Sequence, residues 1–136
     1  MMISLGLYSI AALGMFLVAL KYGMSAAPLD YHKAIITQDG AVTNGTQRVV
    51  EVLYRVWASS LAALGICLLA LIWGPAASGA AWPHVVILLA TLVVGVPSLI
   101  FPRRVEQNTN VRTPWRLSLA LLVAVTLGFL AWILRI

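Results

Sequence analysis

Residues 117–134 read LSLALLVAVTLGFLAWIL, a run without a single charged side chain. A helix needs roughly 17–25 apolar residues to cross the hydrocarbon core of a bilayer. Runs at about 3–20, 56–73 and 85–101 have the same character, with only Ser, Thr, Tyr or Cys as polar groups. Because hydrocarbon satisfies no backbone polar group, such runs must be helical. The sequence therefore predicts an all-α integral membrane protein, a single four-helix transmembrane domain over residues 1–136.

Local signals set the predicted ends of the helices. Thr46 is a candidate N-cap for the second helix, Phe101-Pro102 should end the third, and Thr113-Pro114 should start the fourth. Gly95 and Pro97 predict a kink in the third. We expect a first helix that is retained rather than cleaved as a signal peptide, since no basic residue precedes it. The expected helices lie at about 3–22, 47–73, 84–101 and 114–134, with connections on one side at about 23–46 and 102–113.

The composition excludes several classes of protein. The chain is 62% hydrophobic and 10% charged, with a mean hydropathy of +0.98, whereas soluble domains carry about 25% charged residues. A soluble enzyme and a disordered tail are excluded. The net charge of +5 does not indicate binding to nucleic acid, because an excess of basic residues in a membrane protein normally sets its orientation.

The basic residues are distributed asymmetrically. The first and third connections with their flanking helix ends hold eight Lys and Arg residues, and the opposite side holds only Arg135. By the positive-inside rule, we expect these connections to be cytoplasmic and both termini to lie on the outer side. The expected location of the protein is the inner membrane of the cell, which it crosses several times. All four acidic residues share the cytoplasmic side. The eight basic residues are Lys21, Lys33, Arg48, Arg55, Arg103, Arg104, Arg112 and Arg116, and the acidic ones are Asp30, Asp39, Glu51 and Glu106.

Aromatic residues fall near the predicted helix ends, where Trp and Tyr prefer the headgroup level. We interpret them as interfacial anchors. Those at the inner ends are Tyr54, Trp57 and Trp115, and those at the outer ends are Trp73, Trp82 and Trp132.

Asp30, Tyr31 and His32 form the one cluster that resembles an acid–base group, and they are the candidate catalytic residues. No nucleophile motif accompanies them, so the non-catalytic interpretation is favoured. No metal site and no cofactor are expected, because His32 and His84 should lie on opposite sides of about 30 Å of hydrocarbon.

Arg103, Arg104, Arg112 and Arg116 lie within or beside the third connection. Guanidinium groups can bind phospholipid headgroups or another anion bidentately. Selection for topology would also place basic residues here. We favour topology with loose contact to anionic phospholipid headgroups over a dedicated anion site.

Small residues recur at helical spacing within the predicted spans. Ala120, Ala124 and Gly128 form a stripe on the fourth helix, and Ser59 and Ala63 form a shorter one on the second. Such stripes let helix backbones approach closely. They are candidates for packing within the bundle, against a partner membrane protein or against a second copy of the chain.

The segments Asp30-Tyr31-His32, VVEVLYRVW (residues 49–57) and Pro102-Arg103-Arg104 resemble those of small uncharacterised four-helix bacterial membrane proteins, a resemblance that implies no activity. Small multidrug exporters have similar size, but their intramembrane glutamate is missing here. Three function classes follow. We favour an accessory subunit or assembly factor that packs through its helices. The alternative is an interfacial lipid-binding protein or enzyme that uses His32 and the basic loops. A small transporter is disfavoured, because transport usually requires ionisable groups within the bundle.

Overall fold

A computed structural model describes residues 2–38 and 40–136; Asp39 lies outside the described residues. The structure confirms an all-α fold with four helices that are long and apolar enough to cross a membrane. A fifth, short helix lies in the first connection. The helices are α1 (Met2–Met24), α2 (Asp30–Ile36), α3 (Asn44–Leu71, continued by a π-helical turn at Ile72–Ala76), α4 (Trp82–Thr109) and α5 (Trp115–Ile133).

The prediction that Pro102 ends the third helix is wrong. Proline has no N–H, so Pro102 cannot donate to the Ser98 carbonyl, yet one lost bond does not break the helix here. α4 continues to Thr109 and ends where Asn110 adopts a left-handed conformation with φ of 57°. At about 1.5 Å per residue, its 28 residues span about 42 Å, well beyond the hydrocarbon core.

Two predicted helix starts are also displaced. Thr43, rather than Thr46, caps α3, and its hydroxyl accepts a hydrogen bond from the Thr46 N–H at 3.1 Å. Pro114 precedes α5 in the cap position, and Thr113 is instead buried in the preceding loop. Its N–H donates to the Glu106 carboxylate at 2.8 Å, so this threonine closes the loop rather than capping a helix.

The four long helices form an incomplete ring. α1 packs against both α3 and α5, and α5 packs against α4. α3 and α4 approach each other chiefly at the π-helical turn and are otherwise almost without contact. The two helices therefore diverge from the turn that joins them, and a cleft opens between them at their far ends.

Small residues bring the helices together away from the cleft. Ala12 of α1 is fully buried, and a Cβ on Gly65 of α3 would lie 3.0 Å from the Phe16 ring. A Cβ on Gly128 of α5 would lie 2.8 Å from the Tyr8 ring. The outward faces instead carry exposed Leu, Ile and Val, with Leu17 exposed to 68%. Since a water-facing surface rarely exposes so much apolar area, these faces suit contact with lipid.

The bundle has two distinct ends. We call the end with the segments 25–38, 40–43 and 110–114 the loop end, and the end with Met2, Ile136 and the 77–81 turn the terminal end. Contacts between chain-distant residues fix this arrangement. The Gln38 side-chain amide donates to the Thr109 carbonyl at 3.1 Å at the loop end, and Tyr8 meets His84 at the terminal end.

A cavity at the loop end is the candidate functional site

The cleft between α3 and α4 holds a cavity of about 410 Å³ at the loop end. Ligand pockets typically occupy about 300–1,000 Å³. All five helices or their flanking residues contribute to its wall, and most of the wall is apolar. The lining residues are Val18, Lys21, Tyr22, Tyr31, His32, Leu53, Tyr54, Trp57, Ser98, Pro102, Pro114, Leu117 and Ser118.

A smaller cavity of about 60 Å³ continues toward the middle of the bundle. It shares Val18, Trp57, Ser98 and Ser118 with the larger one and reaches Thr91. The two cavities adjoin, and the ammonium, imidazole and phenol groups line only the outer one, whereas the inner one has Thr91, Ser98 and Ser118 as its hydroxyl groups. This separation matches a ligand with a polar head and an apolar tail.

Helix α2 closes the cavity and is held by side-chain hydroxyl groups. The Leu29 N–H donates to the Tyr54 hydroxyl at 3.1 Å, and the same hydroxyl contacts Nδ1 of His32. The hydroxyls of Tyr22 and Tyr31 form a second hydrogen bond between α1 and α2. α2 itself has no buried residue. Its position therefore depends on these bonds and on ring contacts, rather than on an apolar face.

The hydrogen bonds indicate the tautomer of His32. The Leu29 N–H can only donate, so the Tyr54 oxygen accepts from it. Tyr54 is 7% exposed, and its own hydroxyl proton needs an acceptor. Nδ1 of His32 is that acceptor, which leaves the ring proton on Nε2. The group that His32 can offer to the cavity is therefore an N–H donor.

Burial lowers the pKa of His32. Burial also raises the pKa of Tyr31, and the hydrogen bond with the Tyr22 hydroxyl raises it further. Both side chains are thus neutral near pH 7. The His32 Nδ1 lone pair stays available to Tyr54, and the Tyr31 hydroxyl keeps its proton.

The predicted acid–base cluster is not assembled. Tyr31 and His32 pack together, with ring centres 3.9 Å apart, and both line the cavity. Asp30 is exposed at the start of α2, and its carboxylate forms no hydrogen bond or ion pair with His32. Without a carboxylate on its Nδ1 and with Nε2 protonated, His32 lacks the arrangement of a general base.

Aromatic rings form the wall on the side of α1 and α3. The Tyr22 ring meets Tyr54 and Trp57 edge to face, with centres 4.9 and 4.7 Å apart. The anchor interpretation is wrong for Tyr54, which is buried inside the bundle, where its hydroxyl contacts Leu29 and His32. Trp57 remains 38% exposed and lines both cavities.

The predicted arginine set divides into two groups, and none of the four lines the cavity. Arg116 pairs with Glu106, with Nη2 to Oε1 at 3.0 Å and Nη1 to Oε2 at 3.4 Å. Arg103 and Arg116 lie over the Trp115 ring at 5.4 and 4.7 Å. Arg104 and Arg112 are exposed and pair with no described residue.

The cation of the cavity is Lys21, which sequence analysis assigned only to topology. It lines the wall and forms no ion pair with any residue of the described chain. Its position directly before Tyr22 is the only sequence signal that could have placed it beside the aromatic residues. The ion pair between Glu51 and Arg55, at 3.7 Å, lies exposed on α3 and away from the cavity wall.

The small-residue stripes have mixed positions. On α5, Gly128 is buried against Tyr8, Ala124 is half-buried and Ala120 is exposed. Ser59 and Ala63 are exposed on α3, and the Ser59 hydroxyl donates to the Val56 carbonyl. The stripe on α5 thus contacts the bundle at one end only, and the stripe on α3 contributes nothing to the packing inside it.

The two histidines lie at opposite ends of the bundle. His84 is buried at the terminal end, where it stacks on Trp132 with ring centres 4.5 Å apart. Within residues 2–38 and 40–136, no three His, Cys, Asp or Glu side chains are grouped so as to hold a metal ion.

The chain matches no protein-family model, no curated protein and no solved structure.

Proposed function

We propose that this chain is a non-catalytic protein of the cell inner membrane that binds an amphiphile, such as a membrane lipid, in the cleft between α3 and α4. The observation that carries the proposal is the 410 Å³ cavity at the loop end, with apolar walls and a cluster of polar groups on one side. Ligand sites are typically concave and apolar with a few convergent polar groups.

The position of the cavity supports a ligand that enters from the bilayer. The cleft lies where α3 and α4 diverge, and Leu53, at 60% exposure, forms part of its wall beside exposed apolar faces. An acyl chain could enter sideways without crossing water. Tyr22, Tyr31 and His32 would then meet the polar part of the same molecule.

The state of His32 supports binding rather than chemistry. A general base must present a free lone pair, whereas this ring uses Nδ1 to accept from Tyr54 and keeps its proton on Nε2. The exposed Asp30 provides no relay. Binding without turnover is the function that this arrangement favours.

The charge distribution supports a cytoplasmic loop end. It carries eight of the nine basic side chains, and both termini lie at the other end. Reporter fusions after Gly40 and after Asn110 should read cytoplasmic, and a fusion after Ile136 should read external. An external readout after Gly40 would overturn the orientation and place the ligand in the opposite leaflet.

A cavity-filling variant tests the proposed function. The protein is purified in mild detergent, and the lipids that accompany it are extracted and identified by mass spectrometry. We expect a stoichiometric amphiphile in the unchanged protein and in Ser59→Phe, which adds a ring on the exposed face of α3. Ser118→Phe adds the same ring to the cavity wall and should lose it. Equal lipid content in the two variants would reject the proposal.

An accessory subunit or assembly factor is the second candidate. The exposed pair Ser59 and Ala63 favours it, because small residues on an outward face let another helix approach closely. The same purification distinguishes the two. A stoichiometric protein partner, or a second copy, that is lost in Ser59→Phe and kept in Ser118→Phe would support this candidate.

A further inference from the structure

We infer that the cavity selects an amphiphile whose head is an anion, a phosphate or a carboxylate, and that Lys21 and His32 recognise it. This inference rests on the proposed function and specifies its ligand class. It is carried by the chemistry of the cavity wall.

The described cavity wall offers charged and polar donors without an acidic acceptor. The described lining residues include one lysine and one histidine, and none of them is acidic. Lys21 contributes an ammonium group with three donors and no acceptor. His32 contributes the Nε2–H that remains once Nδ1 has accepted from Tyr54. A head that meets these donors must supply acceptor atoms, and an anion supplies the strongest ones.

The Ser118 hydroxyl lies at the junction of the two cavities. Most hydroxyl groups in the long helices donate to a carbonyl of their own helix, as Ser98 does to Val94 at 2.7 Å and Thr126 to Leu122 at 2.9 Å. Ser118 forms no hydrogen bond with any described residue, although it lines both cavities. It is therefore a spare donor between the head region and the deeper apolar space.

The four arginines of the third connection do not border the ligand space. Arg116 forms an ion pair with Glu106, and the Arg103 guanidinium lies over the Trp115 ring. Arg104 and Arg112 are exposed and do not line the cavity. They can raise the local concentration of anionic lipid, but Lys21 is the cation that borders the ligand space.

The test compares two anionic amphiphiles with a zwitterionic phospholipid whose tails match those of the anionic phospholipid. The purified protein in a neutral detergent is titrated separately with three ligands: short-chain phosphatidylglycerol, phosphatidylcholine of the same chain length, and dodecanoate. Native mass spectrometry counts the bound ligand. We expect at least one of the two anionic amphiphiles to bind about tenfold or more tightly than phosphatidylcholine, the effect of one charged hydrogen bond. Because phosphatidylcholine carries the same phosphate together with a choline cation, preference for phosphatidylglycerol over it assigns a net anionic phosphate head, and tighter binding of dodecanoate than of both phospholipids assigns a carboxylate.

Paired lysine variants locate the effect. Lys21→Gln should abolish the anionic preference, whereas Lys33→Gln, an exposed lysine of α2 that does not line the cavity, should keep it. A preference that survives Lys21→Gln would assign selectivity to the surface arginines and overturn the inference. Because both lysines are exposed, neither substitution is expected to prevent folding.

One further comparison separates failure of this inference from failure of the proposed function. If phosphatidylcholine binds as tightly as the anions and Ser118→Phe blocks all three ligands, the cavity binds amphiphiles without selecting an anion. If Ser118→Phe blocks none of them, no ligand uses the cavity and both proposals are wrong. Leu53→Trp, at an exposed position of the same wall, provides a second blocking variant.

Discussion

Removal of one hydroxyl group should release α2 from the bundle. In Tyr54→Phe, the Leu29 N–H and Nδ1 of His32 both lose their partner, while the ring stays. Each neutral hydrogen bond contributes about 0.5–1.5 kcal/mol net, so the change should cost about 1–3 kcal/mol. α2 has seven residues and none is buried, and a helix this short is not stable alone. The loss should therefore appear as local opening of α2 rather than as global unfolding.

Hydrogen–deuterium exchange of residues 29–36 in detergent measures this opening. We expect exchange in Tyr54→Phe to accelerate about tenfold, which corresponds to about 1.4 kcal/mol. Tyr8→Phe is the matched control, since it removes a 3.3 Å contact with His84 at the other end of the bundle. Exchange in α2 that is unchanged in Tyr54→Phe, or equally accelerated in Tyr8→Phe, would refute the role given to the Tyr54 hydroxyl.

Three further predictions concern packing, pH and the loop between α4 and α5. Gly128→Ala should lower the free energy of unfolding by about 1–3 kcal/mol, because the added Cβ overpacks against Tyr8. Gly6→Ala, whose new Cβ has no atom within 4 Å, should be neutral or stabilising. Equal unfolding midpoints of the two variants in detergent would contradict this packing prediction. Burial lowers the pKa of His32, so as pH falls the unfolded chain binds a proton at this histidine before the folded protein does. The contribution of neutral His32 to stability should therefore be full above the ordinary pKa of about 6.5 and be lost as pH falls through the lowered pKa. The thermal unfolding midpoint should thus depend less on pH in His32→Gln between pH 7.5 and 4.5, and identical profiles of the two proteins would reject the lowered pKa of His32. Glu106→Gln weakens the bonds to Thr113 and Arg116 that hold residues 110–114, so these residues should be cleaved faster by protease while the four long helices remain intact. Unchanged cleavage would contradict the role given to Glu106 in holding this loop.

Sequence patterns predicted the four long helices because the membrane imposes a length and an absence of charge that a single chain displays directly. The ends of the helices were harder to predict. Pro102 looked like a stop signal, but α4 continues because a long helix loses only one hydrogen bond there, and its end is decided by Asn110 and by the bonds of Glu106 to Thr113 and Arg116. Those bonds join residues seven and ten positions apart, and no local pattern reports them.

The candidate site was predicted only in part. Tyr31 and His32 were identified from their residue types, and they do line the cavity. Asp30 was grouped with them because it is adjacent in sequence, but one helical step turns it outward into solvent. Lys21 and Ser118 were missed, because their importance comes from a cleft between helices that are distant in the chain, and hydropathy does not report which pair of helices diverges.

The size of the side chains explains why the cleft lies at the loop end. At the terminal end, glycine at 128 lets Tyr8 lie against the α5 backbone, and the buried Ile72 brings the π-helical turn into the core beside α4. At the loop end, the rings of Tyr22, Tyr54 and Trp57 fill the space between α1 and α3. α3 is thus held by α1 at both ends but meets α4 at only one, and the cavity follows from this difference. The aromatic contacts between α1 and α3 thus leave the α4 side of α3 uncovered at the loop end, and the cavity occupies that uncovered side.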